Sequence, residues 1–236
     1  MGKLSDSDLW DLYQTELREI YDRKVYEKPI YPLFYLIKQY YKSRPVPANI
    51  AEIGFGNGVL LRSLTTIFPV CYGLDISKKN IDLTEEEFRQ NGICNVKFEV
   101  YNIMDSPLAA PRFDAMVLSH VLEHFDDSQL KIVLQNIKRL LNKQGILFGA
   151  TPYKKPLNPR ICQNCGHIFE IDGHKQIFDE QRLKDILEKG GLKILLIRHF
   201  NPDHFYYGKS FLWRLFHRGF LLRDQVTQLE FIASLL

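Results

Sequence analysis

The stretch Asn49-Ile50-Ala51-Glu52-Ile53-Gly54-Phe55-Gly56-Asn57-Gly58-Val59 decides how the rest of the chain is read. A short apolar strand around one acidic residue gives way to three glycines at alternate positions, then to a helical run with Val59, Leu60, Leu61 and Leu64. Glycine lets the backbone take positive φ and approach a ligand, because no Cβ stands in the way. Strand, glycine turn and helix N-terminus in succession make a pocket for a cofactor. The spacing is not G-x-G-x-x-G, which argues against NAD or FAD. Glu52 would stand at the carboxyl end of the strand, where a carboxylate attracts a ligand's ammonium group rather than a pyrophosphate. Alternating glycines also occur in tight turns that bind nothing, so the rest of the chain has to choose.

Length and composition narrow the choice. A chain of 236 residues, 45% of them hydrophobic, can bury one sizeable core, so a single domain over 1–236 with extensions is expected. The net charge of +3 does not announce a nucleic-acid surface. No apolar run approaches a membrane span and the N-terminus is polar and helix-like, which makes a cytoplasmic location the expectation. Four cysteines, of which only Cys162 and Cys165 have a recognisable spacing, do not form a secreted disulfide framework.

Strands and helices alternate from the glycine turn onward. Val70-Cys-Tyr-Gly-Leu-Asp75 is a second apolar strand, and Asp75 lies roughly twenty residues beyond the glycines, where α/β nucleotide folds place a carboxylate on ribose hydroxyls. Its other reading is an N-cap for the helix Lys78 to Gln90, but Ser77 already fills that role. A third strand is expected over Asn95–Tyr101 and a fourth over Phe113–Ser119. A helix over Ser128–Leu141, a fifth strand over Gly145–Thr151, a helix over Asp179–Lys189 and a sixth strand over Leu192–Phe200 follow. This alternation requires a doubly wound, mostly parallel sheet. Ahead of it, residues 1–44 form an N-terminal helical cap: apolar positions at helical intervals over Ser5–Tyr41, with Pro29 and Pro32 between, predict two helices and a bend.

The pattern E-I-G-F-G-N-G closely resembles motif I of the class I S-adenosylmethionine-dependent methyltransferases, and S-H-V-L-E-H over Ser119–His124 resembles the segment after the fourth strand in their small-molecule members of type 11/12. Gln225–Ser234 fits the seventh strand, which that pattern inserts antiparallel beside the sixth. The resemblance implies a Rossmann-like, seven-stranded class I fold. It implies S-adenosyl-L-methionine as cofactor, with the methionine moiety on Glu52 and the Gly54-Phe55-Gly56, Gly58 turn. Asp75 would take the ribose, Ile76 the adenine face, Asn102 and the Ile103 backbone the adenine edge, and Ser119 would border the site. Many members carry aspartate where this chain has Asn102. In such members the N-terminal segment closes over the cofactor, where Tyr21 and Tyr26 could cover its methionine end, but aromatics at helical spacing read first as core and the two are left out of the site. His120, just past the fourth strand, is either a general base or a pocket-shaping histidine. His124 and Glu123 read as pocket-shaping.

After the fifth strand the regular pattern stops. Residues 152–178 form a long irregular insertion carrying C162-Q-N-C165-G-H167 and Gly173-His174, expected to hang over the crevice and help form the acceptor pocket. Cys-x-x-Cys-Gly is a knuckle for Zn²⁺, and His167 and His174 are the residues to complete a tetrahedral set, unless the loop is only the relic of one. His174 is also a second candidate for acceptor chemistry. Residues 201–223 are aromatic and basic, suited to covering an apolar substrate, touching a membrane surface, or packing on the core or a dimer mate.

The expectation is thus methyl transfer to an oxygen or nitrogen of a small-molecule or lipid- or sugar-linked acceptor, by a monomer or homodimer. A zinc-bearing RNA methyltransferase would need a basic acceptor face. A non-catalytic S-adenosylmethionine-binding module would bind cofactor and transfer nothing.

Overall fold

The computed structural model describes residues 5–12, 23–105, 113–200 and 228–236. Helix α1 covers residues 6–12, and α2 runs from Arg23 to Tyr40. Contrary to the expected bend, α2 continues through Pro29 and Pro32. Leu33, Leu36 and Ile37 are buried against the sheet, so packing of one apolar face outweighs the two lost N–H donors. Tyr21 lies outside the described residues, as does the 201–223 segment.

The central sheet has seven strands: β1 (Asn49–Ile53), β2 (Val70–Asp75), β3 (Val96–Val100), β4 (Phe113–Ser119), β5 (Leu141–Pro152), β8 (Leu192–Phe200) and β9 (Gln228–Leu235). Their order is β3-β2-β1-β4-β5-β9-β8. The first five are parallel, and β9 is antiparallel to both β5 and β8. β1 reads as a nearly unbroken apolar run because helices cover both faces of a parallel sheet. Its Ile53 stands level with Leu74 of β2 and Leu118 of β4. Sequence order reverses between β1 and β4, which opens the crevice at their carboxyl ends.

Two cores flank the sheet. On one face α2, α3 (Val59–Leu64) and α4 (Lys78–Gln90) bury Ile37, Leu60, Leu61, Leu64, Ile81 and Phe88. On the other, α5 (Asp127–Leu140) and α6 (Glu180–Lys189) bury Val133, Ile137, Leu183 and Leu187. Each such side chain contributes about 1.5–3 kcal/mol. The Asp126 carboxylate caps α5 by accepting from Ser128 and Gln129 N–H, and the Gln129 side chain returns to the Asp126 backbone. β5 begins at Leu141 rather than at Gly145, because Leu141 is fully buried and pairs with Phe113 across a register shift. Further along β5, a Cβ at Gly149 would come within 2.3 Å of the Phe231 ring, so this position lets the β9 phenylalanine lie flat on the sheet.

The insertion is not irregular throughout. It folds into a hairpin of β6 (Pro159–Ile161) and β7 (Ile168–Glu170), and then returns to the sheet through a bridge between Tyr153 and Phe178.

Candidate active site at the carboxyl ends of β1, β2 and β4

The glycine turn leaves β1 with Gly54, Gly56 and Gly58 at φ 66°, 54° and 72°. Only glycine takes three such values so closely spaced without strain. Gly54 N–H donates to Leu74 O at 2.8 Å, and a Cβ at Gly54 would meet Val121 Cγ2 at 2.9 Å. The turn therefore lies directly against the segment that follows β4. Phe55 is turned into the core against Phe98, so only its backbone faces the crevice.

Two buried carboxylates flank this turn. Glu52 is 2% exposed and its Oε2 has no hydrogen-bond partner. Desolvation, reinforced by the charge of Asp75, pushes its pKa well above the ordinary carboxylate range. A buried acceptor without a partner is costly, and a cationic donor would relieve it. Asp75 closes β2; its Oδ1 accepts from Ser77 N–H at 2.9 Å and its Oδ2 from the Asn80 amide at 3.1 Å. Burial raises its pKa, against the pull of Ser77 N–H, the Asn80 side chain and Gly56 N–H. Ser77 caps α4 as expected, with its hydroxyl accepting from Asn80 N–H.

Helix α1 reaches this end of the sheet. The Ser7 hydroxyl donates to Ile76 O at 3.1 Å, and Asp11 accepts from the Ser77 hydroxyl and from Lys79 N–H. Asn102 follows β3, but its amide oxygen already accepts from Met104 N–H at 2.9 Å, a local turn that the sequence did not reveal. Ile103 is buried, and its carbonyl accepts from Asn136. The cradle nevertheless fits an aminoacyl nucleoside: an orphaned carboxylate oxygen for its ammonium, a Cβ-free turn beside it, and a carboxylate at the end of the next strand for its ribose.

His120 lies beyond Ser119 at φ 55°, a left-handed conformation that few non-glycine residues hold. Its N–H donates to Ala150 O at 2.9 Å, and its Nδ1 stands 3.2 Å from Glu123 Oε1. Nε2 is buried without a well-formed hydrogen bond, with the Gln228 side chain beside the ring. Burial lowers the pKa of this imidazole, but the hydrogen bond and charge of Glu123, together with Gln228, outweigh it, and the net direction is upward. Burial raises the pKa of Glu123 and His120 pulls it down, leaving it below its ordinary value. Thr151 donates to Glu123 Oε2 at 3.3 Å.

Glu123, read from the sequence as pocket-shaping, is buried among several partners. At 1% exposure it touches His120, and its backbone carbonyl accepts from Lys175 and Gln176 N–H of the insertion. A carboxylate three residues after a histidine, where both follow a strand into the crevice, was the available signal. His124 is tied to Gly173 O through Nδ1 at 3.1 Å, and its ring lies 5.1 Å from that of His174 and 5.1 Å from Trp10. The base of the insertion is thus tied to Glu123 and His124, the segment that follows β4.

The zinc set expected within one loop is not the arrangement found. Glu123, His124 and His174 offer ligand atoms within 4.8 Å of one another, as do Glu170, Asp172 and His174. Among the described residues, no such group of three includes Cys162, Cys165 or His167. The hairpin explains this: it carries the cysteines to its tip, whereas His174 lies at its base with its N–H on Glu170.

The antiparallel β9 slotted between β5 and β8 is the strand that the class I pattern requires, and together with the glycine cradle it settles the class: a class I S-adenosylmethionine-dependent methyltransferase. A family model described as a methyltransferase domain matches residues 21–197, and the chain belongs to that family. It is 26% identical over 164 residues to the ubiquinone biosynthesis O-methyltransferase of Coxiella burnetii, covering 65% of this chain and 68% of the relative. Among solved structures, an S-adenosylmethionine-dependent methyltransferase from Clostridium acetobutylicum superposes with a TM-score of 0.64 at 15% identity, over 97% of this chain and 98% of the other. The DhpI–SAH complex superposes with a TM-score of 0.66 at 16% identity, over 97% and 94% of the two chains.

Proposed function

We propose that the chain methylates a hydroxyl or phenol oxygen of a small-molecule or lipid- or sugar-linked acceptor, with His120 as general base and Glu123 orienting it. The observation that carries this reading is the 3.2 Å contact between His120 Nδ1 and the buried Glu123 carboxylate. With Nδ1–H turned toward the Glu123 carboxylate, the neutral imidazole would keep Nε2 unprotonated, and the ring would have to turn that nitrogen out of its buried position to take a proton from the acceptor. Bound S-adenosylmethionine supplies an electrophilic methyl group on a sulfonium. Glu52 and the Gly54 to Gly58 backbone would hold its methionine end, Asp75 its ribose, Ile76 and the Asn102-Ile103 segment would border its adenine, and Ser119 would border the cofactor. His120 takes the acceptor's proton as the oxygen attacks, and Glu123 stabilises the imidazolium that forms. Alignment supplies most of the acceleration, because methyl transfer needs an in-line approach. His174, beside Glu123, borders the acceptor.

The modest charge argues against an RNA acceptor. The name of the Coxiella relative supports an oxygen-directed reaction. Calorimetry with S-adenosylmethionine and S-adenosylhomocysteine tests the cofactor assignment on wild type and Asp75→Ala: both ligands bind wild type, and the variant binds at least tenfold more weakly. Failure of wild type to bind either ligand overturns the reading. Binding with no transfer to any hydroxylated acceptor leaves the non-catalytic module as the function.

A further inference from the structure

The tip of the insertion carries a built turn that methyl transfer does not use. Hairpin β6–β7 exposes all three residues of its first strand and two of its second. An isolated two-stranded hairpin is marginally stable in water, and among the described residues the strands of this one are mostly exposed. This one also leaves Ile161 67% and Ile168 64% exposed, directly opposite each other in register.

Beyond that pair the chain closes into a knuckle. Gly166 N–H donates to Cys162 O at 2.8 Å, Cys162 N–H donates to His167 O at 2.8 Å, and Gly166 takes φ 69°. Both cysteines are free.

One turn supplies two thiolates, and a structural zinc site takes four ligands. The described residues of the same chain bring no third ligand to either cysteine, and His174 is grouped elsewhere. A second copy of the turn supplies what is missing, since a two-fold axis through the metal duplicates whatever one copy brings.

We propose that Cys162 and Cys165 form half of a zinc site that is completed by the same two residues of a second copy, so that one Zn²⁺ joins two chains hairpin tip to hairpin tip. Metal binding releases the thiol protons to solvent, with no change in oxidation state. The Ile161–Ile168 pair, next to the thiolates on each copy, is covered by its twin. The metal and this apolar contact together hold a hairpin that has little else to hold it.

The test uses the full chain purified without chelator from zinc-supplemented cells. Elemental analysis is expected to give about half a zinc per chain, and sedimentation equilibrium a dimer. A zinc chelator should return the dimer to monomer, and added Zn²⁺ should restore it. The Cys162→Ser/Cys165→Ser variant should be a zinc-free monomer. If that variant misfolds, the chelator and re-addition arm on wild type decides alone. One zinc per monomeric chain, a dimer that survives chelation, or zinc-free protein overturns the proposal. S-adenosylhomocysteine binding is measured on the same samples, and its failure would count against the methyltransfer reading and not against the zinc.

Discussion

His120 and Glu123, three residues apart in the chain, meet at 3.2 Å at the mouth of the crevice, one in a left-handed backbone conformation and the other almost wholly buried. Neither feature is cheap: His120 holds a strained backbone, and Glu123 Oε1 is buried beside Nδ1 without a well-formed hydrogen bond.

Glu123→Gln should therefore lower kcat by about 10²-fold while leaving cofactor affinity within about twofold. Because Glu123 raises the His120 pKa, the acid limb of the pH–rate profile should move to lower pH in the variant. A profile measured with any accepted substrate checks this. An unmoved limb with a reduced rate would assign Glu123 a purely structural role.

The same pair makes stability depend on pH. His120 has a folded pKa above 6.5, so its contribution is complete below 6.5 and is lost as pH rises through the folded value. Glu123 has a folded pKa below 4.5, so its contribution is present above 4.5 and is lost as pH falls through the folded value. The two overlap between about pH 4.5 and 6.5. The difference in Tm between wild type and Glu123→Gln should be greatest in that window, and a difference that stays constant from pH 4 to 9 would refute the coupling.

Gly58→Ala should weaken S-adenosylhomocysteine binding more than tenfold. At φ 72° the new Cβ is strained, and it meets Thr84 Cγ2 at 2.7 Å, so the turn must shift. Calorimetry reads the loss, and thermal melting shows whether the fold survives it. Equal affinity in the two proteins would mean that the turn does not touch the ligand.

Arg198 donates to Glu230 at 2.6 Å, and Glu230 is fully buried in β9 with its pKa raised by that burial. Arg198→Ala strands a carboxylate and should cost about 2–3 kcal/mol, at the lower end for buried pairs because Arg198 is about one third exposed. Glu230→Gln should cost less, since the charge it leaves without its partner, Arg198, is about one third exposed and can reach water. Urea denaturation of the two variants gives the ranking, and the reverse order would sink the argument.

Gly149→Ala drives a methyl group into the Phe231 ring, which is fully buried and cannot retreat. The expected loss is about 1–3 kcal/mol. Adding Phe231→Leu should recover part of it, and strictly additive effects in that cycle would show that the two positions are independent.

Much of the fold was legible because it rests on local rules. The strand–glycine–helix turn at Gly54 to Gly58, the strand ending at Asp75 and the Ser77 cap each follow from side-chain period or backbone freedom within a few residues, whereas the antiparallel last strand was expected from the resemblance to class I methyltransferases. The bend expected at Pro29 and Pro32 failed because tertiary packing of Leu33, Leu36 and Ile37 outweighed a local penalty. The start of β5 was misplaced because a pairing with Phe113, distant in sequence, set it. The bond from Met104 N–H to the Asn102 amide oxygen was not legible in the sequence, because it depends on the turn that follows β3.

The sequence by itself determined the strand–glycine–helix turn, since glycine conformation and strand period act over neighbours, and its motifs pointed by resemblance to the class of protein. Only the tertiary structure decided the acceptor side. Burial made Glu123 the partner of His120, and the reach of a hairpin separated Cys162 and Cys165 from His174. Burial and separation in space depend on contacts between residues far apart in the chain, and no local pattern carries them.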